Sequence, residues 1–411
     1  MARTIRETRP VQTEEDIVKS YSQSPIDDAF VQNPYPFYEH ARAGGGQLFF
    51  WDEFDVACTA SFAAVWAILK DRRMGREAPP GFEPEKPPHQ AGFWAVEDHS
   101  LLELERPRHT RLRGLILRAF TSRRIGELEP EISQLAHDLI DQIETQEFDL
   151  LKTFAEKLPV IIIARLLGVP ENRADDLLNW SHAMVGMYQA NRSHKAEVAA
   201  ANAASEFAAF MVEYVNYRRK RPADDLITHL IAAEEDGERL TTDELITTCI
   251  LLLNAGHEAT VHTIGNGVRA LLMAQTPPEL LAPDHIDTTV EEIIRYDAPL
   301  HMFQRWAYEE IQIGNDIIKP GEKVACLLAG ANRDPSRWQN PQTFDPTRPI
   351  QTNVTFGAGT HFCIGAPLAR LELRTALPIL FQRLPNLHLS DKPKFADKYH
   401  FHGLETLNVA R

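Results

Sequence analysis

The segment richest in chemistry is Phe356-Gly357-Ala358-Gly359-Thr360-His361-Phe362-Cys363-Ile364-Gly365, which presents one thiol just before an apolar helical stretch, Ala366 to Phe381. A lone thiolate in such a loop suits a single soft ligand to one metal. Gly357, Gly359 and Gly365 are expected to let the backbone take positive φ and approach a flat cofactor closely, while nearby amides tune the sulfur. The plain alternative is a buried cysteine in an ordinary loop. Cys58, Cys249 and Cys326 lie far apart, with no CxxC pair for zinc and no disulfide framework, and read as core residues. A second segment, Asn254-Ala255-Gly256-His257-Glu258-Ala259-Thr260, puts an acid and a hydroxyl after the apolar run Ile250 to Leu253. Polar groups inside a buried helix are costly without a use or a partner. A third, Glu291-Glu292-Ile293-Ile294-Arg295-Tyr296, sets Glu292 and Arg295 on one helical face, where they can form a charge-assisted fork. Such pairs are common on surfaces and contribute little there.

These residues need scaffolding. Thr241-Thr242-Asp243-Glu244 reads as a capping box, and the first hard stop after it is Pro277-Pro278, so one helix of about 50 Å carries Glu258 near its middle. Phe49-Phe50-Trp51 with Val56-Ala57-Cys58-Thr59 suggests an early hairpin. Ile311-Gln312-Ile313 with Lys323-Val324-Ala325-Cys326 suggests short strands around Lys319-Pro320-Gly321. Helical patterns cover Asp28 to Ala43 and dominate from Thr110 through Arg218. Ala78 to Gly92, with five prolines, reads as a mobile loop. The 411 residues show no linker, repeat or compositional break, and 44% hydrophobic with 25% charged residues is ordinary for one large globular domain. A net charge of −15 argues against a general nucleic-acid binder. The N-terminus lacks the apolar core of a signal peptide and no stretch is apolar enough to span a bilayer, so a cytoplasmic protein without membrane partners is expected.

All positions of the Cys363 run fit the pattern Phe-Gly-x-Gly-x-His-x-Cys-x-Gly, and the chain resembles a soluble bacterial-type cytochrome P450, a haem-thiolate monooxygenase, from about residue 27 to 411. In haem proteins a thiolate ligand goes with oxygen activation. The resemblance implies a mainly α, prism-shaped fold with small β-sheets and a long central helix over the haem. It implies a flexible extension over residues 1–26 and a single haem domain over 27–411. Haem b, iron protoporphyrin IX, would take Cys363 as its axial ligand, with Phe356, Gly357, Ile364, Gly365, Ala255 and Gly256 around it. His109, Arg113, Arg305 and His361 would bind its propionates; His109 and Arg113 stand four apart on one helical face, a spacing usually found on solvated faces. Glu292, Arg295 and Arg348 would lock the core beneath it. Glu258 matches the family's proton-handling acid, but Ala259 replaces the alcohol that normally follows, and Thr260 comes one residue and about 100° later. A substrate hydroxyl, an ordered water or a lesser need for protons would repair this relay; the first is preferred.

By the same resemblance the enzyme inserts one atom of O₂ into a small-to-medium organic substrate, by hydroxylation or epoxidation, with electrons from a separate ferredoxin and ferredoxin reductase. Arg111, Arg118, Arg123, Arg124, Arg370 and Arg374 either steer that donor or are ordinary helix charges. The loop Ala78 to Gly92 and the region Trp180 to Asn191 would lid the pocket. Phe82, Phe93, Trp94, Met184, Met187, Leu252, Leu300, Met302 and Phe401 are candidates for its apolar wall, or are plain core. Asn254 and His400 could orient a polar substrate group. His257 and His262 read as packing or surface histidines. Two other readings stay open: a peroxide-driven or redox-neutral haem-thiolate enzyme, which would explain Ala259, and a non-catalytic haem sensor.

Overall fold

The helices that frame the site are α1 (Ala91–Glu97), α2 (Arg108–Ala119), α3 (Glu129–Asp141), α4 (Lys157–Leu167), α5 (Ala174–Val185), α6 (His194–Lys220), α7 (Thr242–Met273), α8 (Ile286–Tyr296) and α9 (Ala366–Arg383). The computed structural model describes residues 18–189, 192–235 and 238–411. The start of α7 forms as its sequence dictates: the Thr241 hydroxyl accepts from the Glu244 amide at 3.2 Å, and the Glu244 carboxylate accepts from the Thr241 amide at 2.9 Å. Helix α4 stops at Gly168, whose φ of 85° is the left-handed turn that only glycine adopts without strain. Helix α7 runs through the molecule, packed against α4, α6, α8 and α9. Leu245, Cys249, Leu253, Ile264, Val268 and Leu271 of α7 join the main apolar core, which continues into α3, α4 and α9.

Beside this helical body lies a six-stranded sheet built from β1 (Ser20–Tyr21), β2 (Phe49–Trp51), β3 (Val56–Thr59), β4 (Met74–Gly75), β5 (Met302–Ala307) and β8 (Lys323–Leu327), in the order β1-β2-β3-β8-β5-β4. A separate hairpin pairs β6 (Ile311–Ile313) with β7 (Asp316–Ile318). A three-stranded sheet joins His388–Leu389, Asn408–Ala410 and Glu147–Asp149. The register Val324↔Arg305 in β8–β5 and Gly75↔Trp306 in β4–β5 brings Arg76, just past β4, beside Arg305. The fold class is therefore as expected, mainly helical with small sheets, and no described helix is long and apolar enough to cross a membrane.

Several expectations need correction. The ordered chain does not begin at residue 27: Ser20 and Tyr21 pair in parallel with Phe50 and Trp51, so part of the expected extension is sheet edge, while residues 1–17 lie outside the described residues. Lys323–Leu327 and Ile311–Ile313 are both strands, as expected, and the latter lies in a sheet of its own. The two residues Gly314-Asn315, with Gly314 at φ 63°, fold it directly onto Asp316–Ile318. Asp28 to Ala43 is two helices, Asp28–Gln32 and Tyr35–Arg42, because Pro34 cannot continue the first. The proline-rich loop ends early, in one tight turn at Pro88–Gln90 that leads into α1 at Ala91.

Candidate active site

Between α7 and the loop before α9 lies a cavity of about 1530 Å³. Cys363 lines it, whereas Cys58, Cys249 and Cys326 are wholly buried in packed core away from it. The loop is held by a tight backbone network: the Gly357 amide donates to Val354 O at 2.9 Å and the Cys363 amide to Phe356 O at 2.9 Å. Gly357 and Gly359 take φ of 69° and 68°, and a Cβ on Gly359 would sit 2.3 Å from the Leu69 carbonyl, so glycine is required there twice over. Gly365 corrects the expectation: its φ is −83°, and as the N-cap of α9 it contributes an amide to the sulfur. Burial pushes the Cys363 thiol up; the Gly365 and Ala366 amides and the charges of Arg113 and Arg370 oppose this. Those donors stabilise a thiolate, as does the N-terminal end of α9.

One rim of the cavity is crowded with cations. Burial, reinforced by His361 and Arg113, pushes His109 down to about 4, and its Nδ1 is buried without a partner. Burial and then Arg76 push Arg305 down to about 10; its Nη1 donates to its neighbour's carbonyl, Gln304 O, at 2.8 Å. The His109 and His361 rings lie 4.3 Å apart between centroids, and Arg113 donates to Phe362 O at 2.6 Å. Buried arginines beside histidines that burial and repulsion keep from charging, one with an orphaned ring nitrogen, call for a dianionic partner at that rim. A flat, apolar group with two carboxylates on one edge and a metal facing Cys363 fits this donor set.

On the opposite wall Ala255 and Ala259, four residues apart on α7, both open into the cavity. Thr260 also borders the cavity, but its hydroxyl donates back to Gly256 O at 3.3 Å. Gly256 lines the cavity too, but a Cβ there would meet Ile163 of α4 at 3.1 Å, so packing of α4 on α7 also needs its small size. Glu258 is 7% exposed and surrounded by histidines: His182 Nε2 lies 2.9 Å from its Oε1, His257 Nε2 lies 3.6 Å from the same oxygen, and His262 Nε2 lies 3.7 Å from Oε2. Burial pushes the Glu258 carboxyl up, but the hydrogen bonds and charges of His182 and His257 outweigh it and hold it well below the usual range. His257 and His262, read as packing or surface residues, are buried and pack in the core, against the acid. The pocket residues Phe93, Met184, Leu252, Asn254, Leu300, Met302 and Phe401 all line the cavity, as do Phe82, Trp94, Met187 and His400.

With this geometry, the comparisons with known proteins are decisive. The cytochrome P450 family model matches residues 81–278 and 285–404. The chain belongs to the cytochrome P450 family. It is 36% identical over 399 residues to the biotin biosynthesis cytochrome P450 of Bacillus subtilis (strain 168), covering 94% of this chain and 98% of that protein. It is 36% identical to the vitamin D(3) 25-hydroxylase of Pseudonocardia autotrophica, covering 88% and 89%. Among solved structures it is similar to P450BioI in complex with acyl carrier protein ligated to hexadec-9Z-enoic acid, with TM-score 0.88 and 35% identity over 93% of this chain and 99% of that one. This P450 is a haem-thiolate monooxygenase, using iron protoporphyrin IX with a cysteine axial ligand, O₂, an organic substrate and redox partners.

Behind the haem loop of this P450 the Glu292 fork forms as expected. Arg295 donates to Glu292 through Nε at 2.7 Å and Nη2 at 2.8 Å, and Arg348 Nε adds a third bond at 3.2 Å. These three residues do not line the cavity. Arg295 Nη1 reaches Asn332 O at 2.9 Å, and the Asn332 side chain accepts from the Val354 amide at 2.8 Å and donates to Thr355 Oγ at 2.7 Å. The fork therefore sets the entrance to the loop that carries Cys363. The basic residues read as a donor-steering surface are largely paired internally: Arg111 with Glu244, Arg123 with Glu127, Arg124 with Asp224, Arg370 with Glu291 and Arg374 with Asp287.

Three contributors escaped the sequence reading. Arg76 lies at the cationic rim, paired with Glu103 and with a buried, unpartnered Nε. Glu105 accepts from His361 Nε2 at 2.8 Å and from the Arg76 amide at 2.8 Å, and so orients the loop histidine. His182 supplies Glu258 with its partner from α5. All three depend on tertiary pairing, which no local sequence pattern reports.

Proposed function

We propose that this P450, fed by a ferredoxin and its reductase, oxygenates a mainly apolar substrate whose own polar group supplies the hydroxyl missing at Ala259. The observation that carries this is local to α7. Ala259 opens into the cavity with no hydroxyl, and the Thr260 hydroxyl is committed to Gly256 O. Five residues before Ala259, Asn254 carries a buried Oδ1 without a partner, its amide nitrogen resting 3.5 Å from Met184 Sδ, a weak acceptor. Its carbonyl is an acceptor for a substrate hydroxyl or amide, and His400 Nδ1, also unpartnered, is a second polar anchor. The surrounding wall of Phe93, Leu252, Leu300, Met302 and Phe401 favours a hydrocarbon body. The relatives named for vitamin D(3) and for a hexadecenoic acid on its carrier protein support a long, mostly apolar substrate.

In this reading Cys363 holds the haem iron, His109, Arg113, Arg305, His361 and Arg76 neutralise its propionates, and Ala255, Gly256 and Ala259 leave room above it. Haem bound here supplies the activation of O₂ for insertion into a C–H or C=C bond. Glu258 moves protons at its carboxylate, with the substrate's own group bridging from the acid towards the ring. Segments 78–92 and the α5 end admit substrate, since Phe82, Met184 and Met187 line the cavity from them. Exposed Phe362 and Leu117, the latter one turn beyond Arg113, offer an apolar contact for the electron donor on the Cys363 side.

Matched pairs of hydroxylated and deoxygenated substrates test this reading. With the hydroxylated partner, electrons consumed should appear mostly as product; with the deoxy analogue, coupling should fall several-fold, and Ala259→Thr should restore it. Equal coupling for both analogues, unchanged by Ala259→Thr, would remove the substrate from the relay.

A further inference from the structure

We propose that His182, His257 and Glu258 form a binding site for one borderline-soft divalent cation, zinc by preference, between α5 and α7. One ligand atom from each of the three lies within 4.8 Å of the others. Glu258 Oε1 stands 2.9 Å from His182 Nε2 and 3.6 Å from His257 Nε2. Ligands about 2.0–2.1 Å from a tetrahedral zinc stand about 3.3 Å apart, so small side-chain movements would admit the ion. The decisive detail is the tautomer of His257. Its Nδ1 lies 2.8 Å from Leu253 O, which can only accept, so Nδ1 carries a proton and Nε2 is the nitrogen turned towards Glu258. His257 is 1% exposed and its Nε2 is buried, 3.6 Å from Glu258 Oε1, which His182 Nε2 approaches to 2.9 Å from the other side. A buried carboxylate between two imidazole nitrogens is a ligand set that a cation can share in place of protons. A histidine whose second nitrogen donates to a backbone carbonyl is also how metal-ligating imidazoles are held.

Access and surroundings suit an exchangeable ion. The His182 side chain is 43% exposed, so a cation reaches the site from solvent and a water can complete its shell. Lys398 and Glu156 act on His182 with opposite signs, and His262 steadies the second carboxylate oxygen. An ion here ties α5 to α7 and immobilises Glu258, so it inhibits turnover. That consequence rests on the proposed proton role of Glu258; binding itself does not.

The test uses haem-loaded enzyme stripped with chelator, equilibrated with zinc sulfate, and assayed for zinc per haem iron and for zinc-edge X-ray absorption. The expected result is one zinc per haem in a nitrogen and oxygen shell, weakened at least about tenfold by His182→Ala. The surface variant His89→Ala, at a separate histidine beside Glu197, should leave it intact. No retained zinc, sulfur in the shell, or equal loss with His89→Ala would overturn the site. Zinc bound by the expected ligands with unchanged turnover would overturn the inhibition, and the proton role of Glu258 with it, while leaving the site standing.

Discussion

Cys363 lines the cavity with its sulfur under the Gly365 and Ala366 amides, and no other cysteine lines that space. Cys363→Ser should therefore remove the strongly red-shifted Soret band of the reduced, carbon monoxide-bound protein and abolish turnover, while circular dichroism stays close to wild type. Retained activity would move the ligand elsewhere. Legibility at this scale followed chain distance. The Cys363 loop, the Glu292–Arg295 fork and the Ala255–Thr260 interruption are short-range patterns, and each stands where its spacing placed it. Glu105 with His361, and His182 with Glu258, join residues 256 and 76 positions apart, and no spacing rule reaches that far. Gly365 shows the opposite error: a glycine read for positive φ serves instead through its amide.

At the scale of elements, α8 matters less for its own stability than for what it fastens. Its fork holds Asn332, and Asn332 holds Val354 and Thr355, the bend and turn that lead into the haem loop. Both fork residues are 3% exposed, so removing one leaves the other charged in a site with little water. Glu292→Ala should cost about 3–5 kcal/mol, the usual penalty for orphaning a buried charge. Urea unfolding would measure it, and the loop's dependence on the fork predicts that haem loss tracks the destabilisation. A variant that unfolds earlier yet keeps its haem as tightly would separate the fork from the loop. The helices themselves were readable because caps and breakers are local: Thr241 with Glu244 starts α7, and Pro34 divides the early helix. Sheet edges were not. A two-residue strand such as Ser20–Tyr21 has no periodicity to read and exists because Phe50 and Trp51 offer a free edge.

Across the whole molecule, the balance between charge and burial sets the response to acid. His301 is 0% exposed, with Nδ1 2.9 Å from the Tyr38 hydroxyl; burial and the nearby His402 hold it well below the ordinary histidine range, against the pull of Asp297. Burial alone pushes His400 down to about 4. An unfolded histidine takes up a proton near about pH 6.5, whereas these folded ones do not. The unfolded state therefore binds more protons between about pH 6.5 and 4, and stability must fall as pH drops through that window. For His400 the difference amounts to about 3 kcal/mol. Asp297 works at a different pH: burial raises its carboxyl, but the charge and hydrogen bond of His402 outweigh this and hold it below the usual range. Its stabilisation is complete above the unfolded carboxylate pKa near about 4 and is lost only in stronger acid. Urea midpoints of the haem-loaded protein, taken in steps from about pH 7.5 to about 4.5, should thus decline from mild acidity onward, before carboxylates titrate. His301→Gln, which keeps a partner for Tyr38 without a titrating ring, should flatten the decline. A midpoint that holds steady to about pH 4.5 would mean that these histidines are already charged in the folded protein.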